Sequence, residues 1–154
     1  MSALSARAQL GILVERYLLC TLAELGTTLF LVAQAPLIGW LCTVVWDQVD
    51  TDTPSLWFVL CLGAVWFGCI GACREVVRVR PIVERERMFG LSLTAWLGSR
   101  YAVLGAIGLA QVLLLILAVE ARIALTGPLG LQIVALWLAS LCGTGLGLVV
   151  SALA

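Results

Sequence analysis

The segment from Cys73 to Arg100, CREVVRVRPIVERERMFGLSLTAWLGSR, separates two long apolar stretches of the chain. It contains six of the nine arginines and three of the nine acidic residues. A charged side chain at the centre of a bilayer costs about 2.5–3.5 kcal/mol even on insertion scales, so this segment cannot lie in hydrocarbon. The sequence therefore predicts a segment in water or at the lipid headgroups, held between membrane-spanning helices.

The composition of the whole chain indicates an integral membrane protein. Its 154 residues are 62% hydrophobic and 12% charged, whereas about a quarter of the residues are charged in a soluble domain. The sequence has no histidine, which excludes an imidazole base and a histidine-ligated metal. The six cysteines form no CxxC pair, and Cys69 and Cys73, which could share a helix face, are more typical of packing residues. We expect no metal and no bound cofactor in this chain, and no nucleic-acid partner.

Four apolar runs are long enough to cross a membrane at about 1.5 Å per residue. The predicted spans are residues 25–45, 56–73, 101–119 and 131–153, with residues 74–100 as a cytoplasmic segment. Residues 4–24 precede the first span and place five apolar residues at helical spacing: Leu10, Leu13, Val14, Tyr17 and Leu18. This spacing predicts an amphipathic helix in the membrane interface, and the alternative is the solvated start of the first span. The predicted fold class is all-α integral membrane, with an interfacial helix, four transmembrane helices and a short coupling helix.

We expect the second span to continue as one helix beyond Arg74 into the water. Pro81 then begins a separate short helix, because proline is favoured at the first helical position, and Gly90 follows its end. Glu84 and Arg87 are spaced to pair on this helix, for a few tenths of a kcal/mol. Such a charged helix is typical either of a solvated face or of a docking surface.

The arginines also predict the orientation of the chain. With the N-terminus in the cytoplasm, eight arginines lie inside and Arg122 alone lies outside, as the positive-inside rule requires. Four spans then place both termini in the cytoplasm, and the protein is expected in the inner (plasma) membrane. The loop with Asp47, Asp50 and Asp52 lies outside, and without the ligand spacing of a calcium loop it is interpreted as a solvated turn.

Polar and small residues inside the spans predict helix contacts. The fourth span has a small residue at every fourth position: Ala135, Ala139, Gly143, Gly147 and Ser151. Such a stripe lets another helix approach closely, within this chain or in a second copy. Gln34 and Gln111 lie within the first and third spans, where they could bond to neighbouring helices or line a substrate pathway.

Several short stretches together resemble the pattern of a known family. In the central segment they are Arg74–Val77, Arg80–Ile82, Arg85–Met88, Gly90–Ser92, Ala95–Trp96 and Ser99–Arg100; outside it they are Arg16–Leu18, Gln34–Ile38 and Gly147–Ala154. They are similar to REIV…RPI…RERxxGLSxxAY…SK and its flanking helices in the membrane domain of type-2 ABC exporters. The resemblance is to the G-subfamily-like kind, which in some bacteria is fused to an ATPase and a forkhead-associated domain.

The resemblance implies a function and partners. In that family the loop after the second span holds the coupling helix, which contacts the nucleotide-binding domain; the corresponding residues here are Arg80, Pro81, Glu84, Arg85, Glu86 and Arg87. ATP would therefore bind to a partner subunit, and a second permease half or a homodimer, together with membrane lipid, would complete the assembly. The family domain has six spans, of which this sequence shows four, and the sequence contains no Walker A glycine loop.

These observations predict the permease component of an ABC-type exporter and not an enzyme in its own right. The alternative is a non-transporting membrane assembly partner, or a truncated relic of such a permease, that uses the small-residue stripe. An intramembrane enzyme is disfavoured because the spans contain no histidine and no pair of aspartates.

Overall fold

The computed structural model describes residues 6–48 and 53–154, and these residues form six α-helices. The helices are α1 (Ala6–Ala23), α2 (Leu25–Val45), α3 (Pro54–Ala72), α4 (Glu75–Met88), α5 (Leu93–Glu120) and α6 (Leu129–Leu153). No β-strand occurs among the described residues. The all-α integral membrane class is therefore confirmed.

Four helical stretches of the described residues are long and apolar enough to cross a membrane: Leu25–Val45, Pro54–Met88, Leu93–Glu120 and Leu129–Leu153. The second of these runs from α3 into α4. The chain is thus a multi-pass membrane protein. The predicted acidic loop lies partly outside the described residues, since Asp50 and Asp52 are not among them.

The core of the bundle is formed mainly by α3, α5 and α6. Its fully buried members include Leu60 and Phe67 of α3, Leu115 of α5 and Leu136 of α6. Helices α3 and α6 approach most closely, because Gly68 of α3 meets the backbone of α6 and glycines of α6 meet the backbone of α3. This contact orders the spans around one another without bulky side chains at the crossing.

A turn at residues 73 and 74 separates α3 from α4, which corrects the prediction of one continuous helix. The N–H groups of Val76 and Val77 donate to the Ser151 hydroxyl of α6, at 3.0 and 3.3 Å. In a continuous helix they would donate to carbonyls of the preceding turn. The hydroxyl from α6 therefore supplies the bonds that let a new helix begin here.

Helix α4 begins six residues before Pro81, which therefore lies inside the helix and does not start it. Pro81 and Val77 are both exposed, so water can reach the Val77 carbonyl that loses its helical partner at the proline. The predicted end of the helix is confirmed at Gly90, which has a φ of +92°. The N–H groups of Gly90 and Leu91 bond back to carbonyls of the last turn, at 3.1 and 3.2 Å, as in a Schellman motif.

The helix of the third span, α5, begins at Leu93, eight residues before Tyr101, where the span was predicted to begin. Ser92 caps the helix, since its hydroxyl accepts the N–H of Ala95 at 3.5 Å. Arg100, which the sequence analysis took as the last residue of the charged cytoplasmic segment, thus lies inside α5.

Helix α1 forms where it was predicted, but its apolar side chains lie on more than one side. Tyr17 of the predicted apolar face is buried, whereas Leu10 and Leu18 are exposed. Three residues outside that face are also exposed: Ile12, Leu19 and Leu22. Apolar residues occupy too many positions of this helix to form a single stripe.

Candidate coupling surface

Three ion pairs fasten α4 to its neighbours. Glu86 accepts from Arg16 of α1 at 2.8 Å, and Arg78 donates to Glu24, which lies between α1 and α2, at 2.7 Å. Both pairs are partly exposed, and exposed pairs contribute only about 0–1 kcal/mol each. Their hydrogen bonds with Glu86 and Glu24 raise the pKa of Arg16 and Arg78.

The third pair, between Glu75 of α4 and Arg100 of α5, is mostly buried. The two groups are 3.2 Å apart, and their side chains are 13% and 11% exposed. The Arg100 guanidinium also lies over the Tyr17 ring of α1, at 3.7 Å from its centre, and 5.3 Å from the Trp96 ring. Such cation–π contacts stabilise a buried guanidinium. Removing one member would leave the other charge buried and unpaired, so this pair is the strongest electrostatic tie of α4.

Tyr17 is the aromatic residue at this junction, and its environment disfavours the phenolate. Burial raises its pKa, and the nearby Glu75 carboxylate raises it further, while Arg100 acts in the opposite direction. Tyr17 therefore stays neutral and serves as a flat surface for Arg100 over the whole physiological range.

Hydrogen bonds from side chains of α1 and α6 to backbone groups at the two ends of α4 complete its attachment. The Gln9 side chain of α1 donates to the Gly90 carbonyl at 3.4 Å and accepts the N–H of Ser92 at 3.0 Å. It thus holds the loop between α4 and α5. At the other end, buried Ser151 of α6 accepts two N–H groups from the first turn of α4. Both ends of α4 are therefore fixed by other helices.

The opposite side of α4 is open and charged. Of the six residues that the resemblance assigned to ATPase coupling, five are exposed: Arg80, Pro81, Glu84, Arg85 and Arg87. Arg80 and Glu84 pair with each other at 3.1 Å, four residues apart. Met88 and Phe89 follow with 80% and 87% exposure. The sixth residue, Glu86, is half-buried and faces α1 through its pair with Arg16.

The small-residue stripe of α6 contacts α3 within the chain. A Cβ atom at Gly143 would collide with the Val65 carbonyl, and one at Gly147 would lie 2.5 Å from the Cys69 carbonyl oxygen. Ser151 is buried in the same direction, against α4. Ala139 is half-buried, and Ala135 is exposed. The part of the stripe from residue 143 to 151 is thus occupied inside the chain and is not available to a second copy.

The glutamines of the spans differ in what they contact. Gln111 is buried and donates to the Leu31 carbonyl of α2 at 2.6 Å, so it ties α5 to α2. Gln34 is half-buried, and its amide nitrogen has no hydrogen-bond partner among the described residues. Both glutamines were predicted either to bond to neighbouring helices or to line a substrate pathway. The structure shows a bond to a neighbouring helix for Gln111.

Sequence reasoning missed the residues that hold α4 from outside, namely Gln9, Arg16, Glu24 and Tyr17 as partners and Ser151 as a cap. Their only signal was chemical type, since each lies about 50 or more positions away from its partner along the chain. Local spacing carries no information about such contacts.

Comparison with protein-family models finds one description for this chain: the ABC-2 type transporter membrane family matches residues 8–154. The match covers the spans, α4 and its attachments. Neither a search of curated proteins nor a search of solved structures found a match. Because this match covers nearly the whole chain, the chain belongs to the ABC-2 type transporter family.

Proposed function

We propose that α4 is the helix through which a separate ATP-binding subunit drives the spans of this chain. An ABC-2 membrane domain is the non-catalytic permease part of an ABC transporter and works with an ATP-binding partner. The observation that supports this is the two-sided character of α4. One side is fixed to α1, α5 and α6, and the other presents exposed charges.

A helix fixed in this way transmits a push as a unit. The buried pair of Glu75 and Arg100 joins α4 to the membrane-facing helix α5, and Ser151 joins it to α6. A partner that grips Arg85 and Arg87 would therefore move the ends of two spans together. Rigid-body motion of this kind is a common means of coupling a distant site to a membrane pathway.

The finer assignments extend this proposal. The chain acts as an exporter of the G-subfamily-like kind in the inner membrane, with both termini and α4 in the cytoplasm, and ATP binds on the partner. Its four spans correspond to the first four of a six-span unit, and the working permease contains a second half. These assignments are supported by the resemblance of the central segment and by the distribution of arginines.

The alternative of a non-transporting assembly partner depended on a free small-residue stripe. Because residues 143 to 151 of that stripe contact α3 and α4 within the chain, they do not offer a surface for assembly. The structure therefore removes the main observation that favoured this alternative.

Charge reversal on the exposed side of α4 tests the coupling. The triple variant Glu84→Arg, Arg85→Glu and Arg87→Glu leaves the attachments of α4 described above intact, since none of the three residues pairs with another helix within residues 6–48 and 53–154. We expect the variant to lose co-purification with the ATP-binding subunit from native membranes. Arg122→Glu, on the exposed loop between α5 and α6, is the matched control and should keep it. Unchanged association of the triple variant would contradict the proposal.

Cysteine labelling tests the orientation. A cysteine at Val83 would be a poor reporter, because Val83 is only 8% exposed. Arg87→Cys and Ala124→Cys are both exposed and lie on opposite sides of the spans. With an impermeant reagent added outside intact cells, we expect labelling above the native background at Ala124→Cys alone. Labelling of Arg87→Cys would place α4 outside and end the coupling proposal.

A further inference from the structure

A cavity of about 130 Å³ lies between α1, α4 and the start of α5, behind the exposed side of α4. Three arginines contribute to its wall, one from each helix: Arg16, Arg78 and Arg100. Among the described residues that line it, Glu86 is the one acid, and it is paired with Arg16. Glu24 and Glu75, which hold the other two arginines, are not part of the wall. The lining side chains thus include three cations and one anion, and each of the three arginines is also paired with a carboxylate.

The guanidinium groups retain unused donors. The hydrogen bonds of Arg16, Arg78 and Arg100 to their acids all use the Nη1 atom. The Nε atom of Arg100 is buried and has no hydrogen-bond partner among the described residues. Because this Nε–H is closed off from solvent-sized probes, the donors that a ligand in the cavity could reach are the remaining Nη–H groups of the three arginines that line it.

We propose that this cavity binds a phosphate group, presented either by an anionic lipid headgroup or as free phosphate. The planar fork of arginine matches the oxygens of a phosphate, and several forks can share its three or four oxygens where a carboxylate offers two. The cavity, at about 130 Å³, is well below the ~300–1,000 Å³ of pockets that enclose drug-sized ligands. Its size suits a phosphate and its ester oxygens.

The site also lies where a bound phosphate would bridge three helices. Arg16 belongs to α1, Arg78 to α4 and Arg100 to α5. A phosphate among them would tie the interfacial helix and the third span to α4 at once. Binding should therefore stabilise the folded chain in proportion to ligand occupancy.

The test is thermal unfolding of the chain, purified in an uncharged detergent, with two probes. Inorganic phosphate is titrated against chloride at equal ionic strength, and short-chain phosphatidylglycerol is titrated against short-chain phosphatidylcholine. We expect a saturable rise in the unfolding temperature with at least one of the two anionic probes. A rise with phosphatidylglycerol alone identifies a lipid headgroup as the source, and a rise with both probes shows that free phosphate suffices. No rise with either probe overturns the proposal.

Variants distinguish the cavity from general charge attraction. Cys20→Phe adds bulk at a residue that lines the cavity without removing any ion pair, and Arg100→Gln removes one of its three guanidinium groups. Each should raise the half-saturating probe concentration at least about tenfold, the first by steric exclusion and the second by loss of hydrogen bonds from a charged donor. Arg85→Gln, an exposed arginine of α4 outside the cavity, should leave it unchanged.

Arg100→Gln also leaves Glu75 without its partner, so this variant could fail to fold. In that event Cys20→Phe decides alone, because it keeps all three arginines. Equal half-saturating concentrations in wild type and Cys20→Phe would show that the probes bind elsewhere, and the proposal would be abandoned.

Discussion

Replacing Gly143 by alanine should destabilise the chain, although alanine is the better helix former. The new Cβ atom would lie 2.8 Å from the Val65 carbonyl carbon and 3.0 Å from its Cα, whereas carbon atoms pack best at about 3.5–4.0 Å. Both are backbone atoms, so no change of rotamer can relieve the overlap, and α3 and α6 must separate. Overpacking of this kind costs about 3 kcal/mol at the upper end. After a gain of about 1 kcal/mol from helix propensity, the expected net loss is about 2 kcal/mol.

Two matched variants isolate this effect, because each makes the same change of glycine to alanine within a span. At Gly63 the nearest atom is a methyl group of Ile38 at 4.0 Å, so the variant should be as stable as wild type or slightly more stable. At Gly145 the obstacle is the end of the Tyr101 side chain, which can swing away, so an intermediate loss is expected. The measurement is unfolding by a denaturing detergent in mixed micelles, followed by far-UV circular dichroism. If Gly143→Ala were as stable as Gly63→Ala, the close backbone contact of α3 and α6 would be refuted.

Three further predictions concern single polar groups. Ser151→Ala leaves two N–H groups of α4 without their acceptor. We expect the free energy of unfolding to fall by about 0.5–2 kcal/mol and hydrogen exchange in the first turn of α4 to become faster. Unaltered exchange would show that the cap is dispensable. Gln111→Leu removes the bond to Leu31 and should lower the free energy of unfolding by about 0.6 and at most ~1.7 kcal/mol; a gain in stability would argue against that bond. In a Tyr101→Phe background, which leaves Tyr17 as the remaining tyrosine, ultraviolet absorbance should show tyrosinate forming only above the ordinary tyrosine pKa of 10.0, because burial disfavours the anion. Since the pKa of Tyr17 is raised in the folded state, its contribution to the free energy of unfolding is fully present below pH 10.0 and is lost as the pH rises above that value.

The sequence could predict where the spans lie because length and hydropathy alone determine them. The predicted first span, residues 25–45, has the bounds of α2, since no charge interrupts the apolar run. The third span was predicted to begin at Tyr101, within the helix that begins at Leu93, because Arg100 was treated as a charge that hydrocarbon excludes. In the folded chain Glu75 and the Tyr17 ring surround that guanidinium, so it can lie in a helix that continues into the membrane. Such partners are distant in sequence, and no local pattern reveals them.

The charged segment was interpreted as the coupling region, but its internal structure could not be derived from local rules. Proline at the first helical position is a common preference, yet Pro81 lies in mid-helix because the start of α4 is set by Ser151, far along the chain. The same serine was assigned to a packing stripe by its spacing. Its small size allows the helices to pack closely, but its hydroxyl also accepts two N–H groups of α4. Only the tertiary structure shows that these groups lie opposite it.

The break between α3 and α4 determines how a movement of α4 can reach the membrane. A continuous helix would pass a push along α3 itself, whereas the turn at residues 73 and 74 weakens that path. The remaining connections are lateral and include Glu75 to α5, Ser151 of α6 to the first turn of α4, and the partly exposed pairs of Glu86 with Arg16 and of Arg78 with Glu24. Among the ion pairs that join α4 to other described elements, the pair with α5 is the most buried, and breaking a buried pair costs the most. If α4 couples its partner to the spans as proposed, a displacement of α4 should therefore be followed first by α5. Glu75→Gln leaves Arg100 buried without its partner, so we expect it to lower the stability of the chain as well as to weaken this connection.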